Sequence, residues 1–368
     1  MRLCYIADAN SIHTKRWIEP FTRGGHEIRL VSYRPNTANW QGLEALVDLT
    51  TLGNVPKLRF LHWGIWLRRY VREQQPDILH AHQIQGAGWL GALAGYHPFV
   101  VSAWGSDVLI EPHKSRFRRY LVDYVLRRAD CVTAPSGILY NALLDLDVPK
   151  DRLELIPWGI NTDVFSPEPK DDLVTRRQLK IDADAWVVLS PRGISPVYNH
   201  HIVIEAMETV AKHISNLCLV MIRYNVDASY QHKIEKQIAA ADLTEKVLWI
   251  QAQSSPTEMA RLYRMADVAI SIPASEGYGF SVYEALACGS PTVISDLPLF
   301  QEDLRDGVHV LKVPIEDPIA TAGALLGLHT SPGLRNRLKA NGPEYARQLD
   351  ISERVNRSRQ LYHELLHT

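Results

Sequence analysis

Short apolar runs alternate with amphipathic stretches along this chain, stop once, and then start again. Apolar runs of four to six residues bounded by turn residues predict buried strands, and the longer stretches between them predict helices. In the first half, strands are expected at Leu3–Ala7, Glu27–Ser32, Asp77–Ala81, Phe99–Ala103, Cys131–Ala134 and Leu153–Ile156. Helices are expected between them around Thr14–Arg23, Lys57–Glu73, Gly86–Ala94, Ser115–Arg128 and Ser136–Leu144. Prolines, a glycine and lost periodicity over residues 157–167 mark a domain crossing. The rhythm then resumes with strands at Trp186–Ser190, Leu217–Ile222, Val247–Ile250, Val268–Ile272, Thr292–Ser295 and Val308–Val313. Helices near His201–Ile214, Tyr230–Ala241, Pro256–Met265 and Tyr283–Cys288 join them, and Ile351–Leu366 predicts a closing helix. Such alternation is the signature of parallel sheets wound on both faces, so the fold class is α/β with two Rossmann-like, doubly wound domains. A chain of 368 residues suits two such domains. They are expected at 1–160 and 161–345, with 346–368 as a helix packing back on the first.

The densest chemical signal is Ser275–Val293. An apolar run ending at Ile272 leads into Glu276-Gly277-Tyr278-Gly279, then a helical segment Phe280–Cys288, then Gly289 and Pro291. Strand, glycine turn and helix start aim backbone N–H groups and a positive dipole end at a phosphate. Glu276 and Glu284 flank that point. Carboxylates repel phosphate but accept hydrogen bonds from sugar hydroxyls, so the pair suits a ligand with sugar at both ends, such as a nucleotide sugar.

This segment resembles the E-x(7)-E region of retaining glycosyltransferases of family 4, which have the GT-B fold: two Rossmann-like domains facing a central cleft. The resemblance extends over residues ~1–345 through the strand order, Pro135-Ser136 and the Trp158-Gly159-Ile160-Asn161 linker. It implies that Glu276 contacts the donor sugar and Glu284 the nucleotide ribose, with Gly277, Tyr278, Gly279, Phe280 and Ser281 around the phosphates. It also implies that Arg192, directly after Val187–Ser190, grips the diphosphate, a task suited to a two-pronged guanidinium. A catalytic set of Arg192, Glu276, Trp104 and Asp107 follows, as does independence of metal and cofactor. The N-terminal domain would hold the acceptor and the C-terminal domain a UDP- or GDP-linked sugar, for polysaccharide, glycolipid or natural-product synthesis.

Three departures from the family pattern stand out. A Lys-Gly normally follows the phosphate-binding Arg; this chain has Tyr198-Asn199, which either donate to the phosphates themselves or leave that task to a cation such as Lys15 or Arg16. Relatives often carry His where Trp104 stands, and Trp104 either stacks on a sugar, with Asp107 as polar contact, or packs the domain core. Where relatives have Gly-Gly after the first strand, this chain has Asn10-Ser11-Ile12-His13, so Asn10 and His13, with His82, are candidate acceptor contacts. His80 and His82 alternate on one strand and face one side, but no acid or Cys neighbour completes a metal set.

Composition narrows the partners. Residues 1–150 carry 18 Lys and Arg against 13 Asp and Glu, and the remainder 22 against 28, so the basic half is the one to meet an anion. The stretch Lys57–Arg72 is basic, aromatic and amphipathic; it either buries its apolar face in its own domain or lies on an anionic membrane surface. Nucleic acid is not expected, since no recognition motif accompanies the charge. No apolar run is long enough to span a bilayer, and the start does not read as a signal peptide, so a cytoplasmic protein is expected, peripheral to the inner membrane face only where that basic stretch meets lipid rather than its own domain. Cys4, Cys131, Cys218 and Cys288 lie far apart and read as buried thiols. Two other functions share these features: a GT-B nucleotide-sugar epimerase, and a non-catalytic nucleotide-sugar-binding partner of another transferase.

Overall fold

The computed structural model describes residues 1–52, 59–167, 172–253, 255–301 and 303–367. It divides into two compact units, Met1–Trp158 with Ser352–Thr368, and Gly159–Ile351.

The first unit is a seven-stranded sheet of β1 (Arg2–Ala7), β2 (Glu27–Ser32), β3 (Ala45–Asp48), β4 (Ile78–His82), β5 (Phe99–Ser102), β6 (Cys131–Ala134) and β7 (Leu153–Leu155), in the order 3-2-1-4-5-6-7. Every pairing is parallel. The helices are α1 (Ile12–Arg23), α2 (Arg59–Gln74), α3 (Trp89–Ala94), α4 (Ser106–Leu109), α5 (Glu111–Lys114), α6 (Arg116–Arg128) and α7 (Gly137–Leu144). The second unit holds β8 (Trp186–Ser190), β9 (Leu217–Arg223), β10 (Val247–Gln251), β11 (Val268–Ser271), β12 (Thr292–Ser295) and β13 (Leu311–Val313), again all parallel, in the order 10-9-8-11-12-13. Its helices are α8 (Asp172–Gln178), α9 (His200–Ala211), α10 (Ala228–Ala240), α11 (Pro256–Met265), α12 (Phe280–Ala287), α13 (Pro298–Gln301), α14 (Pro318–Thr330) and α15 (Pro332–Arg347). The last helix, α16 (Ile351–Leu366), belongs to the first unit from Ser352 onward. There Tyr362 is 1% exposed, its hydroxyl 3.2 Å from that of Tyr5 and 2.6 Å from His80 Nδ1.

The central strands of both sheets are buried on both faces and are continuous apolar runs, whereas the edge strands β3, β7 and β10 are only partly buried. Order reverses between β1 and β4 in one sheet and between β8 and β11 in the other; in doubly wound sheets, ligands bind outside the strand ends at these switch points.

Several expectations need correcting. The predicted strand Val308–Val313 starts only at Leu311, because residues 306–309 form a turn closed by Gly307 N donating to Val310 O. The helix expected over Gly86–Ala94 is regular only from Trp89; Gln85 and Gly86 have non-helical backbone angles. In the basic segment Lys57–Arg72, Lys57 and Leu58 lie outside the described residues, and α2 buries Trp63, Gly64, Leu67 and Val71 in its own unit. Trp63, at 5% exposure, is a core residue, and Trp66, half-buried, stacks on Tyr70 at 4.8 Å, while Leu61 and Ile65 of the same helix are exposed. Among the described residues no helix is long and apolar enough to cross a membrane.

Candidate functional site

The switch point of the second unit gathers the strongest cluster. Arg192 leaves β8 and Glu276 leaves the neighbouring β11, so adjacent strands deliver a cation and a carboxylate to one place. Arg192 Nη2 donates to Glu276 Oε2 at 2.6 Å, and Nη1 donates to Ser281 Oγ at 2.7 Å in the first turn of α12. The Tyr198 ring lies 4.1 Å from the guanidinium carbon and fixes its plane. Burial alone would lower the Arg192 pKa, but the Glu276 carboxylate and Tyr198 more than offset it, so the side chain stays charged. His200 beside it is fully buried; burial first, then the Arg192 charge, pulls its imidazole down to about 4. Arg192 therefore has a neutral neighbour at neutral pH.

The turn into α12 depends on glycine. Gly279 has φ +88 and no side-chain cap, and a Cβ there would meet Phe300 Cζ at 2.7 Å. Behind it, α12 is held by α15, where a Cβ on Gly342 would approach Leu286 O to 3.0 Å. Glu284, 4% exposed on α12, accepts from the Tyr263 hydroxyl at 3.0 Å through Oε2.

The switch point of the first unit is aromatic. His13, at the start of α1, lies 5.8 Å from Trp104 and 5.5 Å from Trp158, and the two indoles are 5.3 Å apart. His82 ends β4 at 5.9 Å from Trp104 and 5.2 Å from Tyr5. Its ring is 3% exposed, burial pulls it down to about 3, and neither nitrogen has a hydrogen-bond partner among the described residues. His80 faces inward, between the Tyr362 and Ser102 hydroxyls at 2.6 and 2.8 Å, and burial holds it neutral.

A sequence profile described as "Glycosyl transferase 4-like" matches residues 2–136, and one described as "Glycosyl transferases group 1" matches residues 171–345. The chain is a glycosyltransferase of the family 4 type. It is 23% identical to the D-inositol 3-phosphate glycosyltransferase of Thermobispora bispora, over 79% of this chain and 71% of that one. To the alpha-monoglucosyldiacylglycerol synthase of Streptococcus pneumoniae it is 27% identical over 66% of this chain, spanning 51% of that protein. The structure of Anabaena HepE in complex with UDP-glucose superposes with a TM-score of 0.84 at 18% identity, covering 99% of this chain and 100% of that one. The fold is GT-B.

Within the transferase, Arg192, Tyr198, Glu276, Gly279 and Ser281 come together, and Tyr278, 5% exposed, packs 4.9 Å from the Phe280 ring. Gly277 N donates to Glu276 Oε1 at 3.0 Å, which holds that carboxylate in the turn. Three of the expected ligand contacts have hydrogen-bond partners within the protein. Asn199 is 1% exposed and its amide donates to Ile272 O at 3.1 Å, tying the loop before α9 to the end of β11. Asp107 is fully buried and accepts from the backbone N–H groups of Ile84, Trp104 and Gly105 at 2.8–3.2 Å, stapling the turns after β4 and β5. Burial pushes its carboxyl up in spite of those amides. Asn10 Oδ1 accepts from Thr37 and Ala38 N–H groups and shapes a loop. Lys15 lies 3.6 Å from Glu19, a helix-surface pair. Among the described residues no group of His, Cys, Asp and Glu could hold a metal. Sequence reasoning missed Tyr263, His200 and Trp158. Tyr263 carried one faint signal, a hydroxyl on the apolar face of a helix that needs a partner when buried.

Proposed function

We propose that this transferase moves a glycosyl group from a UDP- or GDP-linked sugar to a hydroxyl acceptor with retention of anomeric configuration. The observation that carries the reading is the Arg192–Glu276–Ser281 triangle at the β8/β11 switch point. There a diphosphate meets a guanidinium and the N-terminal turn of α12, and the sugar meets Glu276. Glu284, oriented by Tyr263, takes the ribose. The His13, Trp104, Trp158 and His82 cluster suits an acceptor: aromatic faces stack on a sugar ring, and a buried imidazole without partners is relieved by a hydroxyl. The carboxylate of the triangle, Glu276, is held by Arg192 and Gly277 rather than free to attack, so a front-face displacement fits. The bond from the anomeric carbon to the diphosphate oxygen breaks, and the acceptor oxygen bonds to that carbon on the same face. The acceptor proton passes to the departing oxygen, while Arg192 and the α12 amides stabilise its charge. UDP-glucose is the first donor to test because Anabaena HepE was solved with it, and lipid or inositol-phosphate acceptors come first because the relatives' names point there. The expected result is an α-linked product by NMR from an α-linked donor, formed with EDTA present. An inverted linkage, or epimerised donor with no transfer, would overturn the reading.

The two acids are separable by calorimetry. Glu284→Gln is expected to weaken free UDP or GDP by about ten- to a hundredfold, by loss of a charge-assisted bond of about 1.5–3 kcal/mol, and Tyr263→Phe to weaken it less. Glu276→Gln is expected to spare free nucleotide and impair only the nucleotide sugar. Equal losses for both ligands would show that the acids do not divide the donor in this way.

A further inference from the structure

Two aromatic side chains project from the first unit among cations. Phe117 is 67% and Tyr120 64% exposed, one turn apart at the start of α6, and Ile110 just before α5 is 45% exposed. Phe117, Tyr120, Leu121, Tyr124 and Arg128 recur at helical spacing along one face, opposite the buried Val122, Val125 and Leu126. The Arg128 guanidinium covers the Tyr124 ring at 4.5 Å.

Residues 111–128 carry Lys114, Arg116, Arg118, Arg119, Arg127 and Arg128 against only Glu111 and Asp123. Both acids are already engaged. Glu111 pairs with Lys114 and, at 2.9 Å, with Arg118, and Asp123 pairs with Arg119 at 2.8 Å. Arg116 and Arg127 flank the aromatic stripe and pair with no carboxylate among the described residues. Arg116, Arg118 and Arg119 also crowd the first turn of α6, where no acid stands and the helix dipole is already positive. Cations there cost the helix stability, so helix formation does not account for them.

We propose that this α5–α6 face docks on an anionic lipid surface. The aromatic side chains would enter the headgroup–acyl boundary while the flanking arginines meet lipid phosphates. Charge complementarity selects the occupant: an apolar stripe wants a non-aqueous phase, and cations of one sign around it want a negative one. A shallow depression next to the stripe, lined by His113, Arg116, Arg119 and Tyr120 with Asp123, adds room for a headgroup phosphate. At 13 residues α6 is too short to span a bilayer, so the attachment is interfacial. The basic helix α2 differs, because its main apolar stripe is consumed inside its own unit.

The test is sedimentation of the full chain with phosphatidylcholine vesicles, with and without phosphatidylglycerol. Binding is expected only with phosphatidylglycerol and is expected to fall steeply with salt. Phe117→Ser with Tyr120→Ser, and separately Arg116→Glu with Arg127→Glu, should each lower partitioning roughly tenfold or more. Ile65→Ser on α2 should leave it unchanged, and thermal melts confirm that each variant folds. No binding at low salt would overturn the proposal. So would a serine pair that binds as well as wild type, because the face would then be a general polyanion site; equal retention of both on heparin is the companion measurement for that outcome.

Discussion

Arg192→Ala is expected to lower kcat/KM about 100-fold or more, the loss of ~3 kcal/mol seen when a donor to a developing negative charge is removed. Most of the loss should fall on kcat. The leaving diphosphate gains charge as its bond to the sugar breaks, so the guanidinium contributes more to the transition state than to the bound donor. Arg192→Ala also strips Glu276 of its partner, and a half-buried carboxylate left alone destabilises the fold. Arg192→Lys separates the two effects: it keeps the charge beside Glu276 but loses the fork that reaches Ser281 as well. It should fold like wild type and still turn over roughly tenfold more slowly. Steady-state kinetics with thermal melts on both variants decide the matter. Unchanged turnover for the alanine variant would remove Arg192 from the site.

The second large effect is on stability in acid. His82 is held neutral by burial, down to about 3 from an ordinary 6.5, and His200 down to about 4. In the unfolded chain each takes a proton as pH falls through 6.5; in the folded chain each takes one only near its lowered value. Between those limits the unfolded state binds more protons, so stability is full above pH 6.5 and falls as pH drops towards 3 or 4. For His82 the loss is on the order of 4 kcal/mol by the acid end of that window. Urea unfolding across pH 7 to 4 measures it, with His82→Gln as the comparison. The glutamine variant starts from its own stability, but its slope against pH should be visibly shallower. An identical slope would mean that His82 protonates without opening the fold.

The sheets were legible because a strand buried on both faces must be a continuous apolar run, and such runs are visible one by one. β3 was not legible: it is four half-buried residues at a sheet edge, with an acid at its end. The helices α14 and α15 were missed for opposite reasons. Ile319–Leu328 is apolar almost all round and shows no stripe, whereas α15 contains Gly342 and Pro343, which read as breakers. In the site, Arg192 and Glu276 could be read because each follows a strand directly, and topology brings strand exits together. Asn199 and Asp107 were read as ligand contacts because their side chains can make them. Their partners are backbone groups of neighbouring turns, and nothing in the local sequence reveals which N–H or C=O a polar side chain will satisfy. Tyr263 reaches Glu284 only through the packing of α11 beside α12.

The hydroxyl of Tyr362 sits under β1 and β4, although Tyr362 is made after the whole of residues 159–351. During synthesis, all seven strands of the first sheet leave the ribosome while the helix that closes their underside does not yet exist. At about 5–20 residues per second, that leaves a wait of order ten seconds or more. Throughout it, the Tyr5 hydroxyl and His80 Nδ1 lack the Tyr362 hydroxyl, and His80 has only Ser102 through its other nitrogen. A chain that stops before α16 therefore leaves the Tyr5 hydroxyl and His80 Nδ1 without the hydroxyl they meet in the finished protein.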